Sequence, residues 1–439
     1  MYDILFEDIC VLNPDLSGVT EHQTVAVSVG TIAFVRDAAP ADAELEARER
    51  IGGADRLLMP GLVDCHTHTG QQLLRGRVLD ELPMIWTRVM LPFESTLTPE
   101  LMELSAELCA LEMIKNGTTG FVDAGSYFMD RAADVYLQSG LRGMLSCSTM
   151  DQPGLPASIA MTRDEAIAAS DDLYERYHGH GLLSVAYALR ALMSCSTELI
   201  EGVCAHARER GAKVQAHMNE YPAEINYTLQ KFGVRPFEYL EGLGVLSPDF
   251  LAAHALMLSQ EEKNLIVEHG VKLCHCPFSN CAKAAPEAAS LRARGIVEGL
   301  GTDGAAHGGL SLWSEMHLFR SIMNVTHGVQ IASPAIMPAP ELVRMATESG
   351  HKFMGTAGGH VRAGELADLI TVDLRNPFMY PTGDVVKSLV ECATAEQVRD
   401  MVVDGRVVMR ERRVLTLDED AIMARADRYV ADRRAEARG

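Results

Sequence analysis

Between residues 60 and 360, short apolar runs alternate with helical segments, and this alternation restricts the fold more than any other feature. The runs cover 61–65, 121–124, 141–147, 182–189, 213–217, 250–254, 271–276 and 296–301. The helices between them are marked by their ends. Thr98-Pro99 supplies a cap residue and a proline at the first helical position, and Gly117 follows where that helix stops. Thr162-Arg163-Asp164-Glu165 and Ser259-Gln260-Glu261-Glu262 each spell a capping box. Eight strands separated by helices fit an α/β fold, a (β/α)8 TIM-like barrel whose catalytic groups stand where the strands end. A doubly wound open sheet is the competing arrangement. No glycine-rich phosphate loop follows the first run, which disfavours the nucleotide-cofactor version of that sheet.

The two ends of the chain read differently. Ile4-Leu5-Phe6 and Ile9-Cys10-Val11-Leu12 are strand-like. Residues 24–35 alternate Val25, Val27 and Val29 before a Gly30-Thr31 turn, which is a hairpin pattern. Near the other end, Asp404-Gly405 sits between the β-branched runs 401–403 and 406–408, a strong hairpin signal. Two β segments without helices of their own would pack together most economically. The expected organisation is therefore a small β-sandwich domain shared by 1–59 and 363–417, a catalytic barrel over 60–362, and a charged, solvated helical tail over 418–439.

Charge removes one class of partner. Lys plus Arg number 39 against 60 Asp plus Glu, a formal charge of −21, so nucleic acid would be repelled. The first residues lack the positive start and apolar run of a signal peptide, and no stretch is apolar enough for a membrane span. The ten cysteines show no disulfide spacing, and reduced thiols in the cytoplasm are the simplest reading.

The chemistry gathers at the strand ends. His66-Thr67-His68 closes the first run, and residues i and i+2 of a strand point the same way, so both imidazoles can reach one ion. Alone that signal is weak. A second such triplet, His178-Gly179-His180, sits in a polar turn and reads as surface loop. Other strand ends repeat the pattern, however. His217 ends the fifth run with Glu220 three residues on, His254 ends the sixth, and Asp303 ends the eighth. A barrel brings these ends together, and neutral imidazoles with one carboxylate suit Zn²⁺. Cys274-His275-Cys276 and the Met-rich stretch near 316–323 read as core instead.

The motifs also carry a resemblance. Residues 59–68 (MPGLVDCHTH), His217-Met218-Asn219-Glu220, residues 275–280 (HCPFSN), residues 301–306 (GTDGAA), Ala367-Asp368-Leu369-Ile370 and Asp404-Gly405-Arg406 are similar to those of the amidohydrolase superfamily. Within it the chain resembles the deaminase branch, methylthioadenosine/S-adenosylhomocysteine deaminases and the related triazine hydrolases. The resemblance implies a barrel with a small β domain and a homo-oligomer. It also implies one divalent metal, Zn²⁺ or Fe²⁺, held by His66, His68, His217 and Asp303. Two-metal relatives carry a bridging Lys or carboxylate at the fourth strand, and residues 182–194 offer neither.

The implied reaction is hydrolytic deamination of an amino-substituted N-heterocycle, purine- or nucleoside-like. A divalent ion lowers the pKa of water from 15.7 towards about 7. Asp303 takes the water proton, His254 steadies the nucleophile, and Glu220 carries a proton to a ring nitrogen and then to the departing amine. A triazine-type or cyclic-amide hydrolase with the same metal is the alternative. For substrate binding, Trp86, Glu94 and Arg142 resemble the family's stacking aromatic, ribose-binding carboxylate and polar pocket residue. On the residues alone, Trp86 equally fits a core aromatic and Arg142 a surface cation. Arg190 stands where adenosine-type deaminases carry histidine, and His307-Gly308-Gly309 follows 304–306 where relatives show Ser-Asn. A guanidinium there suits a carboxylate, phosphate or carbonyl-rich ring, so the heterocycle need not be adenosine-like.

Overall fold

The computed structural model describes residues 1–436 except Ala54 and Pro83. Five strands open the chain: β1 (Tyr2–Leu12), β2 (Val19–Ser28), β3 (Thr31–Asp37), β4 (Ala47–Gly52) and β5 (Arg56–Pro60). Nine parallel-paired strands follow: β6 (Leu62–Thr67), β7 (Thr118–Asp123), β8 (Arg142–Leu145), β9 (Leu183–Val185), β10 (Tyr187–Ala191), β11 (Val214–Met218), β12 (Phe250–His254), β13 (Lys272–His275) and β14 (Glu298–Leu300). Four more close the chain: β15 (Leu369–Asp373), β16 (Val398–Val403), β17 (Arg406–Arg410) and β18 (Arg413–Val414).

The first five and last four strands form a single nine-stranded sheet in the order β18-β17-β16-β15-β5-β1-β2-β3, with β4 also paired to β1. Its seam is the antiparallel pairing of β5 with β15, where Leu58 faces Thr371. The two runs near the N-terminus prove to be one 11-residue strand with register shifts between Phe6 and Ile9 and between Ile9 and Val11. Asp8 adopts a positive φ of 50° there, so a polar residue is turned out of the ladder without ending it. Asp404 and Gly405 hold φ of 50° and 70° in the β16–β17 turn, the left-handed pair that a tight hairpin requires.

The nine middle strands fall into parallel sheets of four (β6-β7-β8-β9) and five (β10 to β14). Every residue of β6, β7, β11 and β12 is buried, as expected for strands covered on both faces. The fourth apolar run is broken at Ala186 into β9 and β10. Across this break Ala186 N donates to Leu145 O at 2.9 Å and Tyr187 N to Lys213 O at 2.8 Å. On the far side, Thr302 N and Asp303 N donate to His66 O at 3.1 and 3.0 Å, joining the exit of β14 to β6.

Helix ends follow the sequence signals. Thr98 Oγ1 accepts from Leu101 N, Gly117 caps the helix Pro99–Asn116 in the left-handed conformation, and both capping boxes form. Met316 and Met323 are wholly buried. The C-terminal helix, Glu419–Glu436, is exposed along most of its described length and touches the body at its first turns. Ile422 is buried, and Arg425 Nη1 reaches Glu107 at 2.7 Å and Glu103 at 3.1 Å on helix Pro99–Asn116. Residues 437–439 of that tail lie outside the described residues.

Candidate active site

Two side chains at alternate positions of one strand start the site. His66 lies in β6 and His68 just beyond it, on the same side, with ring centroids 5.1 Å apart. His217 arrives from β11, and Asp303 from the segment after β14. One ligand atom from each of the four lies within 4.8 Å of the others. His68 Nε2 is 3.1 Å from His217 Nε2, and Asp303 Oδ1 is 3.4 Å from His66 Nε2 and 3.3 Å from His68 Nε2.

Close strand packing makes this convergence possible. A Cβ on Gly301 would sit 2.8 Å from the backbone of His66, so only glycine lets the eighth strand's exit approach the first. Asp64 ties the same two segments, accepting from His66 N and Thr302 N at 3.1 Å and from Thr302 Oγ1 at 2.6 Å. Asn219, His254, Ala255 and Asp303 all hold positive φ, between 48° and 69°. Such strain in non-glycine residues is held by surrounding structure and clusters at sites of function.

Electrostatics keeps the donors available. Burial drives His217 well below its ordinary pKa, and burial together with the charge of Arg190 brings His68 to about 3. Burial works to raise Asp303, yet His307 and the neighbouring His66 and His68 imidazoles outweigh it and hold the carboxyl well below its usual range. His66 Nε2 and His217 Nδ1 are buried with no hydrogen-bond partner. Imidazoles with unpaired nitrogens around an ionised carboxylate are a donor set that fits one divalent cation of the zinc type.

Beside this cluster stands a second group. Glu220 Oε1 is 3.8 Å from His254 Nε2. His254 Nδ1 donates to Asn280 Oδ1 at 3.0 Å, which leaves Nε2 as a buried acceptor without a partner. Burial brings His254 down to about 4, so its ring is neutral at physiological pH. Lys283, scarcely exposed, donates to Glu220 Oε1 at 2.5 Å and to Ser279 Oγ at 2.7 Å. Burial favours a raised pKa for Glu220, but His254 and Lys283 outweigh it and lower the value.

A pocket opens onto both groups. Its walls include His68, His217, Glu220 and Asp303 together with Gln71, Trp86, Arg190 and His307. His307 Nε2 is 3.5 Å from Asp303 Oδ2. The Arg190 guanidinium lies 5.8 Å from the centre of the Trp86 ring. Glu94 does not line this pocket directly. Its Oε1 accepts from Gln71 Nε2 at 2.7 Å and from Arg190 Nη2 at 3.0 Å, its buried Oε2 has no partner, and the residue lines a neighbouring cavity of about 450 Å³. Ser126, Tyr127 and Ser148 line that cavity too, with buried hydroxyls that find no partner.

The structure thus gathers His66, His68, His217, His254, Glu220, Asp303, Trp86, Arg190 and His307 around one space, with Glu94 behind Arg190. Arg142 is the exception and corrects the sequence expectation. It begins β8, at the end away from the pocket. Its Nε donates to Asp368 Oδ2 at 2.6 Å and its Nη2 lies 3.5 Å from Asp404 Oδ1, so a fork of donors pins the nine-stranded sheet. Strand direction is the reason: ligands gather where strands end, and Arg142 stands where one starts. Sequence reasoning missed Gln71, Ser279, Asn280 and Lys283. The available signals were Gln71's offset of three from His68 and a lone lysine just after the seventh strand. The exposed triplet 178–180 and the buried 274–276 segment stand as read.

Comparison with known proteins agrees with this geometry. The pattern of the amidohydrolase family matches residues 57–408. The chain is 32% identical over 437 residues to the 5-methylthioadenosine/S-adenosylhomocysteine deaminase of Syntrophobacter fumaroxidans, with 98% of each chain covered. It is 33% identical over 444 residues to the 5'-deoxyadenosine deaminase of Methanosarcina mazei, again with 98% of each covered. Among solved structures, an adenosine deaminase from Xanthomonas campestris with bound zinc superposes with a TM-score of 0.92 at 30% identity, covering 99% of both chains. A guanine deaminase from C. acetobutylicum with bound guanine, at 21% identity, shares the fold with a TM-score of 0.84 and 92% of this chain covered. With its family pattern spanning most of the sequence and its relatives matched end to end, the chain belongs to the amidohydrolase family.

Proposed function

We propose that this protein is a metal-dependent hydrolase that removes the exocyclic amine of an amino-substituted N-heterocycle as ammonia. The observation that carries the reading is the meeting of the three-histidine, one-aspartate cluster with Glu220 and His254 at one pocket, whose wall carries His68, His217, Glu220 and Asp303. The full-length deaminase relatives support it. We further read the two parallel sheets as a closed (β/α)8 barrel over 60–362. The bonds of Ala186, Tyr187, Thr302 and Asp303 across the two seams support closure. The terminal strands over 1–59 and 363–417 then fold over one another as a small sandwich, with β1 shared between β4 and β5.

His66, His68, His217 and Asp303 would hold the ion, Zn²⁺ in first place. A divalent cation supplies Lewis acidity that brings the ionisation of water towards neutral pH. Asp303 accepts the water's proton. His254, fixed by Asn280 with Nε2 bare, accepts a hydrogen bond from the nucleophile and steadies it. Glu220, ionised at rest, relays that proton to the ring nitrogen beside the C–NH2 carbon. Once the C–O bond has formed, it carries the hydroxyl's remaining proton to the leaving amine, so the ring keeps one water proton and ammonia takes the other. Trp86 offers a face for the ring to stack on. Arg190 presents donors that favour a ring bearing a carbonyl. The unpartnered oxygens of Glu94, Ser126, Tyr127 and Ser148 suit a hydroxylated substituent on that ring.

The test is release of ammonia by zinc-loaded protein from a panel of aminopurines, their nucleosides, aminopterins and aminotriazines. At least one compound is expected to be deaminated, and Glu220→Gln is expected to slow that turnover by about 10²–10⁴-fold. Release of chloride or an alkylamine with no ammonia would replace deamination by triazine-type hydrolysis. Full activity in Glu220→Gln would remove that residue from the proton path.

A further inference from the structure

We infer that Lys283 is a positioning residue that holds the Glu220 carboxylate at the reacting face of the pocket, through a hydrogen-bonded chain that also fixes Asp303. The chain is continuous. Lys283 Nζ donates to Glu220 Oε1 at 2.5 Å and to Ser279 Oγ at 2.7 Å, and Ser279 Oγ donates to Asp303 Oδ2 at 2.6 Å. Lys283 Nζ is itself 4.0 Å from Asp303 Oδ2. One ammonium therefore serves both carboxylates that move protons in the proposed reaction.

The need for such a cation follows from the crowding. Glu220, His254 and Asp303 each place a ligand atom within 4.8 Å of the other two. Two carboxylates that close repel strongly where water is scarce. Glu220 is the one free to leave. It follows β11 on a loop, and its side chain retains 14% exposure, against 6% for Asp303 and 4% for Lys283. Among the described residues, Lys283 is the sole hydrogen-bond donor to the Glu220 carboxylate; the neutral His254 ring stands off at 3.8 Å. Lys283 is in turn set by its backbone, whose N donates to Asn280 O at 2.8 Å, and by the Tyr221 ring, whose centre is 5.0 Å away. Asn280 is also the residue that orients His254. The short segment 279–283 after β13 thus places all three proton-handling side chains, although it provides none of the four candidate metal ligands.

The inference rests on the proposed role of Glu220, and its test has one arm that does not. Zinc-loaded Lys283→Met, Lys283→Gln and Lys283→Arg proteins would be compared on a heterocycle that the wild type deaminates. Loss of the ammonium is expected to lower kcat about 100-fold, the lower end of what a misplaced proton carrier costs, with KM within about threefold and zinc content unchanged. Lys283→Arg, which keeps charge and donors, is expected to regain at least about tenfold of that loss. A kcat within about threefold of wild type in Lys283→Met, or a loss carried by KM alone, overturns the inference. The second arm is a crystal structure of Lys283→Met or, if that protein does not fold, Lys283→Gln. Glu220 is expected to swing out of reach of His254, and a Glu220 left in place overturns the inference. A wild type that releases no ammonia would count against the deaminase reading alone, because the position of Glu220 still decides the matter of Lys283.

Discussion

Arg190, on the wall of the pocket beside the candidate metal ligands, donates to Glu94 behind it across 3.0 Å, with both side chains almost completely buried. A buried pair of this kind adds little net stability, but losing one partner strands the other charge. Arg190→Met is therefore expected to lower stability by about 3–5 kcal/mol, whereas the double change Arg190→Met/Glu94→Met is expected to be closer to wild type. Urea unfolding of the three proteins measures this. A double variant less stable than the single one would show that the two side chains act separately.

Metal content separates the two H-x-H triplets. His217→Ala and Asp303→Ala are expected to lose the ion on dialysis, while His178→Ala and His180→Ala, on the exposed loop, keep the wild-type stoichiometry. Elemental analysis provides the readout. Stripping the wild type with a chelator is expected to abolish ammonia release and to lower the thermal midpoint, and added Zn²⁺ is expected to restore both.

Glu224 carries a pH signature. Its carboxyl is buried, and burial, helped by the nearby Glu220 and Glu262 charges, pushes its pKa up to about 8 from the ordinary 4.5. The unfolded chain ionises this group above 4.5 while the folded chain keeps it neutral, so the folded state loses stability as pH rises from 4.5 to about 8. Glu224→Gln lacks that titration. Its stability relative to wild type is expected to climb between pH 5 and pH 8 and then level off. A flat difference across that range would show that Glu224 is ionised in the folded protein.

Arg142 belongs to the framework. Its guanidinium joins the start of β8 to Asp368 and Asp404 of the nine-stranded sheet. Arg142→Met leaves the buried Asp368 without its ion-pair partner and is expected to cost about 3–5 kcal/mol, with KM for the deaminated heterocycle unchanged. A large rise in KM with intact stability would return Arg142 to the pocket.

The strand ends were legible because a parallel strand buried on both faces leaves an unbroken apolar run, and a histidine or aspartate closing that run stands out. His66, His68, His217, His254 and Asp303 were found in this way. Lys283 and Asn280 were hidden because their roles come from a loop conformation, which no periodicity encodes. Glu94 illustrates a third case. The resemblance marked it as a substrate-binding carboxylate, but its partners Gln71 and Arg190 lie 23 and 96 positions away and meet it only in the folded chain. Arg142 was misplaced because a resemblance carries position along the chain and not which end of a strand faces the ligand. The hairpins at 24–35 and 401–408 were readable from their turn residues, whereas the joining of the terminal segments through β5 and β15 had no local signal.

The seam between β5 and β15 has a consequence for biosynthesis. Leu58 cannot meet Thr371 until more than 300 further residues have left the ribosome. Until then β5 presents a bare strand edge while the segments that carry the metal ligands are already emerging. Unpaired edges of this kind invite wrong partners and slow the search for the right one. A stalled or truncated nascent chain ending before β15 would thus be prone to aggregate, even with all four candidate ligands already synthesised.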